Sequence, residues 1–136
     1  MSLVRDAMVP EPPWLASDAS AQEAGVLLAR PEVRAVFVCD DAGSLSGVVT
    51  RKTLVREVIA PGRHPRETPL GEIAEEPYYT IDSSADLEGA FRFLEENDAE
   101  RVPVIDGGRL VGVLSRSVLQ RRLAEDEGPV DDQQQT

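Results

Sequence analysis

Residue types on which many enzymes and metal proteins depend are scarce in this chain of 136 residues. It has one histidine, His64, and one cysteine, Cys39. A structural zinc site requires about four ligands, and catalysis of the Ser-His-Asp or Cys-His type requires a histidine beside its partner. His64 lies in a stretch rich in proline and glycine, and Cys39 lies in a strand-like apolar pattern typical of a buried residue. The sequence therefore predicts a protein that is not an enzyme and has no metal site.

Basic residues and long apolar runs are also few. There are 14 Lys and Arg against 25 Asp and Glu, which gives a net charge of −11 and argues against nucleic acid as a partner. The longest apolar runs, residues 25–29 and 35–39, are too short to cross a bilayer. Residues 1–20 lack the apolar core of a secretory peptide. These features predict a reduced, soluble, cytoplasmic protein with no membrane contact.

The most informative feature that is present is an internal repeat. When the first half is moved forward by 66 positions, Leu15 falls on Ile81 and Val36 on Val102. One residue is dropped in the turn after position 40, and from there an offset of 65 aligns residues 47–51 with residues 112–116. A repeat of this length predicts two copies of one supersecondary unit.

Both halves predict the same order of elements: a short extended piece, a helix, two strands joined by a turn, and a second helix. The strands are expected at 35–40, 45–50, 101–106 and 109–115, and the helices after Ser20, Thr50, Asp86 and Ser115. The fold class is therefore α/β, with two β-α-β-β-α repeats packed about a pseudo-two-fold axis. The predicted divisions are repeat 1 at 1–60, a connector without an element at 61–69, repeat 2 at 70–124, and a disordered acidic tail at 125–136.

The segments that suggest chemistry are the two strand-to-helix junctions. Thr50 and Ser115 stand where a strand ends and a helix begins, so their hydroxyls can cap the helix beside free N–H groups that favour an anion. Arg51, Lys52 and Arg116 add positive charge there. Plain helix capping with basic residues on the surface is the alternative interpretation of the same pattern.

The double unit resembles a tandem pair of CBS domains, the Bateman module, through Val-Pro-Val-Ile-Asp at 102–106, Gly-Val-Leu-Ser at 112–115, and their counterparts at 36–40 and 47–50. The resemblance covers roughly residues 3–124. It implies disc-like dimers with clefts between repeats that bind adenine nucleotides or adenosyl compounds and signal to a separate effector protein. The residues that the resemblance places at the ligand are Thr50, Arg51, Lys52, Thr53, Val36, Thr80, Ile81, Val102, Pro103, Ser115 and Arg116.

The chain departs from the family's ligand motif, which resembles Gly-h-h-Thr/Ser-x-x-Asp with h apolar. The Asp, which holds the ribose hydroxyls, is replaced by Thr53 and Val118. Two functions therefore remain: a sensor of AMP, ADP, ATP or an adenosyl compound, and a ligand-free scaffold for dimerisation or interaction. For a sensor, phosphate contacts are expected to dominate, affinity to rise with phosphate number, and Thr53→Asp to strengthen binding. Trp14, which aligns with Thr80, has three possible roles: stacking on an adenine, plugging the cleft, or packing in the core. The last two are favoured, because it is a lone tryptophan beside a proline-rich stretch.

Two helical segments carry more apolar residues than one small sheet needs. They follow Thr50 and precede Asn97, and include Leu54, Val55, Val58 and Ile59 in the first and Phe91, Phe93 and Leu94 in the second. Spare apolar surface of this kind is typical of a symmetric contact, so the sequence predicts a homodimer.

Overall fold

The computed structural model describes residues 2–10 and 12–134, with side-chain surroundings given through residue 125. The chain forms two compact units. Unit 1 comprises Met1–Pro10, Tyr79–Asp106 and Val111–Thr136, and unit 2 comprises Glu11–Tyr78 and Gly107–Leu110. No helix in the described part of the chain is long and apolar enough to cross a membrane.

The elements follow the order that the repeat predicts. They are α1 (Val4–Ala7), β1 (Val9–Pro10), β2 (Trp14–Ala16), α2 (Ala21–Leu28), β3 (Val36–Cys39), β4 (Leu45–Val49), α3 (Arg51–Leu54), a π-helical turn (Val55–Ile59), a 3₁₀ turn (Pro65–Glu67), α4 (Leu70–Ile73), β5 (Ile81–Asp82), α5 (Leu87–Glu96), β6 (Arg101–Asp106), β7 (Arg109–Ser115) and α6 (Arg116–Gln134). The sets β2-α2-β3-β4-α3 and β5-α5-β6-β7-α6 are the two predicted β-α-β-β-α repeats, so the predicted α/β class and its two repeats are confirmed.

Unit 2 contains a three-stranded sheet in the order β2-β3-β4. Strand β2 is parallel to β3, and β3 is antiparallel to β4. All four residues of β3 are buried, as expected for a central strand covered on both faces. Helix α2 begins at Ser20, whose hydroxyl accepts from the Glu23 N–H while the Glu23 carboxylate accepts from the Ser20 N–H, a capping box.

Unit 1 contains a four-stranded sheet in the order β1-β7-β6-β5. Strand β1 is antiparallel to β7, and β5 is parallel to β6. Gly107 and Gly108, which join β6 to β7, both have positive φ (60° and 84°), as a tight two-residue hairpin requires. Helix α5 begins at Asp86, whose carboxylate accepts from the Gly89 N–H at 2.9 Å, so the predicted cap is confirmed.

The short helix before each repeat packs with the core of the opposite repeat. Helix α4 opens the second half, yet Leu70 and Ile73 are buried with Leu28 and Val36 of the first half. Helix α1 opens the first half, yet Val4 is buried among residues of the second half such as Leu87, Leu94 and Val102. Each compact unit therefore contains residues from both predicted repeats, 1–60 and 70–124. The boundaries of the repeats themselves stay predictions.

The prediction that the connector 61–69 contains no element is wrong, because Pro65–Glu67 forms a 3₁₀ turn. The ring Nδ1 of His64 accepts from the Arg66 N–H at 3.2 Å and so caps this turn. Pro65 stands at its first position, where its fixed φ suits a helical start and its missing N–H costs nothing. The sequence pattern contained both residues, but their local pairing was not recognised.

Other elements agree with the expectation only in part. The helical segment after Thr50 includes Ile59, but its second half is a π-helical turn. The short extended piece that opens the second repeat is β5, only two residues long (Ile81–Asp82). Helix α6 extends to Gln134, beyond the expected end near Ala124. The predicted disordered tail falls largely outside the residues whose side chains are described, and it stays a prediction.

Candidate functional site

The junction between β4 and α3 in unit 2 is built on two threonines. Thr50 has an extended backbone (φ −120°, ψ 175°), and its hydroxyl accepts from the Thr53 N–H at 3.3 Å. The Thr53 hydroxyl in turn accepts from the Thr50 N–H at 3.0 Å. This reciprocal cap confirms that Thr50 begins the helix. Thr53 is completely buried, so its hydroxyl is restricted to the partners that surround it.

The principal partner of Thr53 is Glu75, a residue that the sequence analysis did not select. The Thr53 hydroxyl donates to Oε2 of Glu75 at 2.6 Å, and the Arg56 guanidinium lies 2.9 Å from Oε1. The hydrogen bond from Thr53, opposed by partial burial and assisted by Arg56, holds the pKa of the Glu75 carboxyl below its usual range. Glu75 is therefore ionised at neutral pH, and both of its oxygens are anchored.

A glycine explains how Glu75 reaches this junction. Gly47 on β4 lies against the chain that follows α4, where a Cβ on residue 47 would stand 2.7 Å from the Cβ of Ala74. The close approach lets Val48 and Glu75 exchange two backbone hydrogen bonds, of 2.8 and 2.9 Å. The backbone of Glu75 is thus fixed at the edge of β4, with its carboxylate beside Thr53.

The equivalent junction in unit 1 is different in chemistry. The Ser115 hydroxyl lies 3.1 Å from that of Ser117 and 3.5 Å from the Val118 N–H, a weaker cap than the one at Thr50. The counterpart of Glu75 in the repeat is Val9, which pairs with Val113 as Glu75 pairs with Val48. Valines therefore occupy both positions that correspond to the Thr53–Glu75 pair.

The two arginines predicted to attract phosphate bind other parts of the protein. The Arg51 guanidinium donates to the carbonyls of Arg30 and Val33, both at 2.8 Å, and so satisfies acceptors after α2. The Arg116 guanidinium lies 3.5 Å from Asp98 and 3.2 Å from Glu100. Lys52, the third predicted basic residue, is exposed and forms no hydrogen bond or ion pair with the residues that the structure describes. The expectation that phosphate contacts dominate is not supported by these positions.

The remaining predicted site residues fall into two groups. Val36 and Val102 are completely buried in the hydrophobic cores of unit 2 and unit 1, so neither residue presents accessible surface to a ligand. Pro103 is also buried, and Ile81 is 8% exposed in β5. Thr80, just before β5, is exposed. Of the predicted site residues, the structure joins Thr50 and Thr53 directly by hydrogen bonds.

Trp14 is not a core residue. Its side chain is 51% exposed, although its backbone pairs with Phe37 in the sheet of unit 2. The expectation that Trp14 packs in the core is therefore wrong, and the expectation that it plugs a cleft stays a prediction.

The expected effect of Thr53→Asp also changes once Glu75 is placed. The substitution would put a second carboxylate within hydrogen-bonding distance of an ionised one, at a position that is completely buried. Like charges so close disfavour each other strongly where water is excluded. The structure therefore does not support the expectation that Thr53→Asp strengthens binding.

Glu75 was missed because no local motif contains it. It stands 22 residues from Thr53, and its own neighbours form no recognisable pattern. One signal was available: the repeat aligns Glu75 with Val9, so a carboxylate replaces an apolar residue at one of two equivalent positions. Comparison of the copies marks the position, but only the fold identifies Thr53 and Arg56 as its partners.

A groove of about 440 Å³ lies in unit 1 between α5 and α6. It is lined by Glu88, Phe91, Arg92, Gln120, Leu123 and Ala124, none of which is a predicted site residue. Within the described part of the chain, His, Cys, Asp and Glu side chains form no cluster suited to a metal ion.

Comparison with known proteins assigns the family. The CBS domain matches this chain twice, at residues 4–60 and 70–125. The chain belongs to the CBS domain family and carries two copies of the domain, as its repeat predicts.

Three proteins illustrate what this chain is similar to. Hypoxic response protein 1 of Mycobacterium tuberculosis is 32% identical over 94 residues, which is 69% of this chain and 66% of the relative, just under two thirds. Inosine-5'-monophosphate dehydrogenase of Mycobacterium leprae is 29% identical over 79% of this chain, but the match covers only 20% of the dehydrogenase. The crystal structure of CBSX2 in complex with AMP superposes on this chain with a TM-score of 0.75 and 26% sequence identity. The superposition covers 93% of this chain and 99% of the CBSX2 chain.

Proposed function

We propose that this chain is a regulatory CBS pair that binds an adenine nucleotide or adenosyl compound and signals its presence to a separate effector protein. The observation that carries the proposal is the junction at Thr50 and Thr53, where the hydroxyl of Thr50, the buried hydroxyl of Thr53, Glu75 and Arg56 form a fixed polar group at the end of a strand. A polar cluster this well anchored exceeds what capping one short helix requires.

Similarity to a nucleotide complex supports the same interpretation. CBSX2 binds AMP, and its structure overlays nearly the whole of this chain. The short match to the dehydrogenase involves a small part of that enzyme, which favours a regulatory role over catalysis. The cytoplasmic location expected from the sequence is part of the proposal, since Cys39 is a buried free thiol whose pKa is raised by burial.

Calorimetric titration with AMP, ADP, ATP and S-adenosylmethionine tests the proposal. We expect AMP to bind, and each further phosphate to change the dissociation constant by less than about fivefold. Arg51 and Arg116 already have partners in the protein, so an added phosphate can form only exposed ion pairs. Such a pair contributes about 0–1 kcal/mol. CMP, which has the same charge but a different base, is the matched ligand control.

A site variant completes this experiment. Thr50→Val retains the β-branched shape but removes the hydroxyl that faces Thr53, so it should weaken AMP binding. Ser46 lies on β4, and its hydroxyl donates to the Val38 carbonyl of β3. Ser46→Ala removes this hydroxyl away from the junction and should leave binding unchanged. Absence of heat with every adenine compound at millimolar concentration would favour the alternative function, a ligand-free interaction scaffold.

We also propose that the chain is a homodimer. Three aliphatic side chains of unit 2 are well exposed: Val26 on α2 (63%), Val55 (54%) and Ile59 (68%). Light scattering at micromolar concentration should give twice the chain mass of 14.8 kDa. Ile59→Arg should shift the mass toward that of one chain, because a guanidinium placed in an apolar contact loses its hydration.

Asp41→Arg, in the exposed turn between β3 and β4, is the control for that substitution, since it introduces the same side chain elsewhere in unit 2. It should leave the mass unchanged. A wild-type protein that scatters as a single chain would contradict the dimer and leave the proposed ligand site unaffected.

A further inference from the structure

The two strand-to-helix junctions of this chain differ at the pair of positions beside the cap. In unit 2 the pair is Thr53 and Glu75, joined by a hydrogen bond of 2.6 Å. In unit 1 the corresponding residues are Val118 and Val9, which have no side-chain donor or acceptor. The backbone pairing is the same in both units, since Val48 pairs with Glu75 and Val113 with Val9. The difference between the junctions therefore concerns chemistry and not the path of the chain.

Glu75 retains hydrogen-bonding capacity that the residues described in the structure do not use. An ionised carboxylate has about four acceptor positions on its two oxygens. Thr53 occupies one on Oε2, and Arg56 occupies one on Oε1. The side chain is 38% exposed, so its other positions are accessible from solvent. Each oxygen thus has a fixed direction and spare capacity.

The charge of Glu75 restricts the part of a ligand that can approach it. An ionised carboxylate can only accept hydrogen bonds, and its oxygens repel the anionic oxygens of phosphate. The other charges at this junction balance, since Arg56 is bonded to both Glu57 and Glu75, and Lys52 also acts on Glu75. Neutral O–H donors have no such penalty, and a pair of adjacent hydroxyls can donate one hydrogen bond to each oxygen of one carboxylate. Hydrogen bonds to an ionised acceptor are also stronger than those between neutral groups.

We infer that Glu75 contacts the ligand directly by accepting hydrogen bonds from a vicinal diol, and that unit 2 alone provides such a contact. The inference rests on the proposed function, in which the diol is the 2′,3′-hydroxyl pair of a ribose. Thr53 and Arg56 act as positioning residues that hold the carboxylate. Val9 and Val118 leave unit 1 without an equivalent acceptor, so each chain binds one ligand in this way.

The test compares AMP with 2′,3′-dideoxy-AMP by calorimetric titration of the full-length protein. The wild type should bind about one AMP per chain and should bind the dideoxy compound at least about tenfold more weakly, since it loses hydrogen bonds to a charged acceptor. Glu75→Gln should bind both compounds alike, within about threefold, because its amide presents one acceptor oxygen and no charge. Glu76→Gln removes the same charge from the adjacent exposed residue and should retain the full preference for AMP.

A second pair of variants uses the natural difference between the repeats. Thr53→Val copies Val118 into unit 2 and removes the hydroxyl that anchors Glu75, so the preference for AMP should decrease even where Glu75→Gln fails to fold. Val118→Thr makes the reverse change in unit 1, and the number of AMP bound per chain should stay at about one because Val9 offers no carboxylate.

The outcomes separate this inference from the proposed function. Equal binding of AMP and the dideoxy compound by the wild type, or a full preference retained by Glu75→Gln, would overturn the role of Glu75 while nucleotide binding stands. Two AMP per chain in the wild type with equal preference at both sites would overturn the asymmetry. A wild type that binds no adenine nucleotide would overturn both proposals, and that titration needs no variant.

Discussion

Replacing Leu70 with Ala is expected to lower the free energy of unfolding by about 2–5 kcal/mol, the usual cost of a cavity left by a large buried side chain. Leu70 has no exposed surface and packs with Leu28 and Val36 in the core of unit 2. Chemical denaturation followed by far-ultraviolet circular dichroism measures this loss. Leu70 opens the second sequence repeat, but the damage should fall on residues of the first.

Amide hydrogen exchange locates that damage. In Leu70→Ala, protection should decrease in α2 and β3, which pack against Leu70, and should persist in α5 and β6. Val4→Ala is the matched control, because Val4 is the completely buried residue of α1 in the core of unit 1. It should lower protection in α5 and β6. Protection lost from α5 and β6 in Leu70→Ala would mean that α4 packs within its own repeat.

Gly47→Ala is expected to destabilise the protein by about 1–3 kcal/mol, the range observed for overpacking. The added methyl group would lie 2.7 Å from the Cβ of Ala74 and 3.4 Å from the carbonyl oxygen of Glu75. Alanine is ordinarily favoured over glycine in a strand, so the sign of the effect depends on this contact. Displacement of the chain at Ala74 should also move Glu75 from Thr53 and weaken binding of AMP.

Two companion variants make this prediction specific. Gly71→Ala, in α4, meets Ser17 at 3.4 Å and gains helix propensity, so it should leave stability nearly unchanged or raise it slightly. Ala74→Gly combined with Gly47→Ala removes one of the two opposed methyl groups and should recover much of the lost stability. A Gly47→Ala protein as stable as the wild type, by thermal unfolding, would show that the close approach of β4 to Ala74 is not required.

The elements and their caps were predictable because the interactions that define them are local. Ser20, Thr50 and Asp86 each accept from an N–H three residues ahead, so both partners of each cap lie in one short stretch of sequence. The apolar character of β3 and the Gly107–Gly108 turn are equally local signals. Repetition of the pattern at an offset of 66 then identified two copies of one unit.

Residues at the candidate site were less predictable, since a local motif does not specify the partners of its long side chains. Arg51 and Arg116 were expected to face a phosphate, because both follow a capped strand end. In the folded chain Arg51 reaches carbonyls near position 30, and Arg116 reaches carboxylates that follow α5. A charged side chain binds the partner that the fold places nearest to it, and a local motif does not specify which residue that is.

The amino-acid pattern alone identifies the two β-α-β-β-α units and their order, because periodicity and capping act over a few residues. The packing of α4 with the first repeat and the contact of Glu75 with Thr53 across 22 residues are visible only in the folded chain. The second of these accompanies a close approach of Gly47 to Ala74 and Glu75, which depends on the path of the chain in space. The same carboxylate that no motif includes thus becomes the central residue of the proposed site.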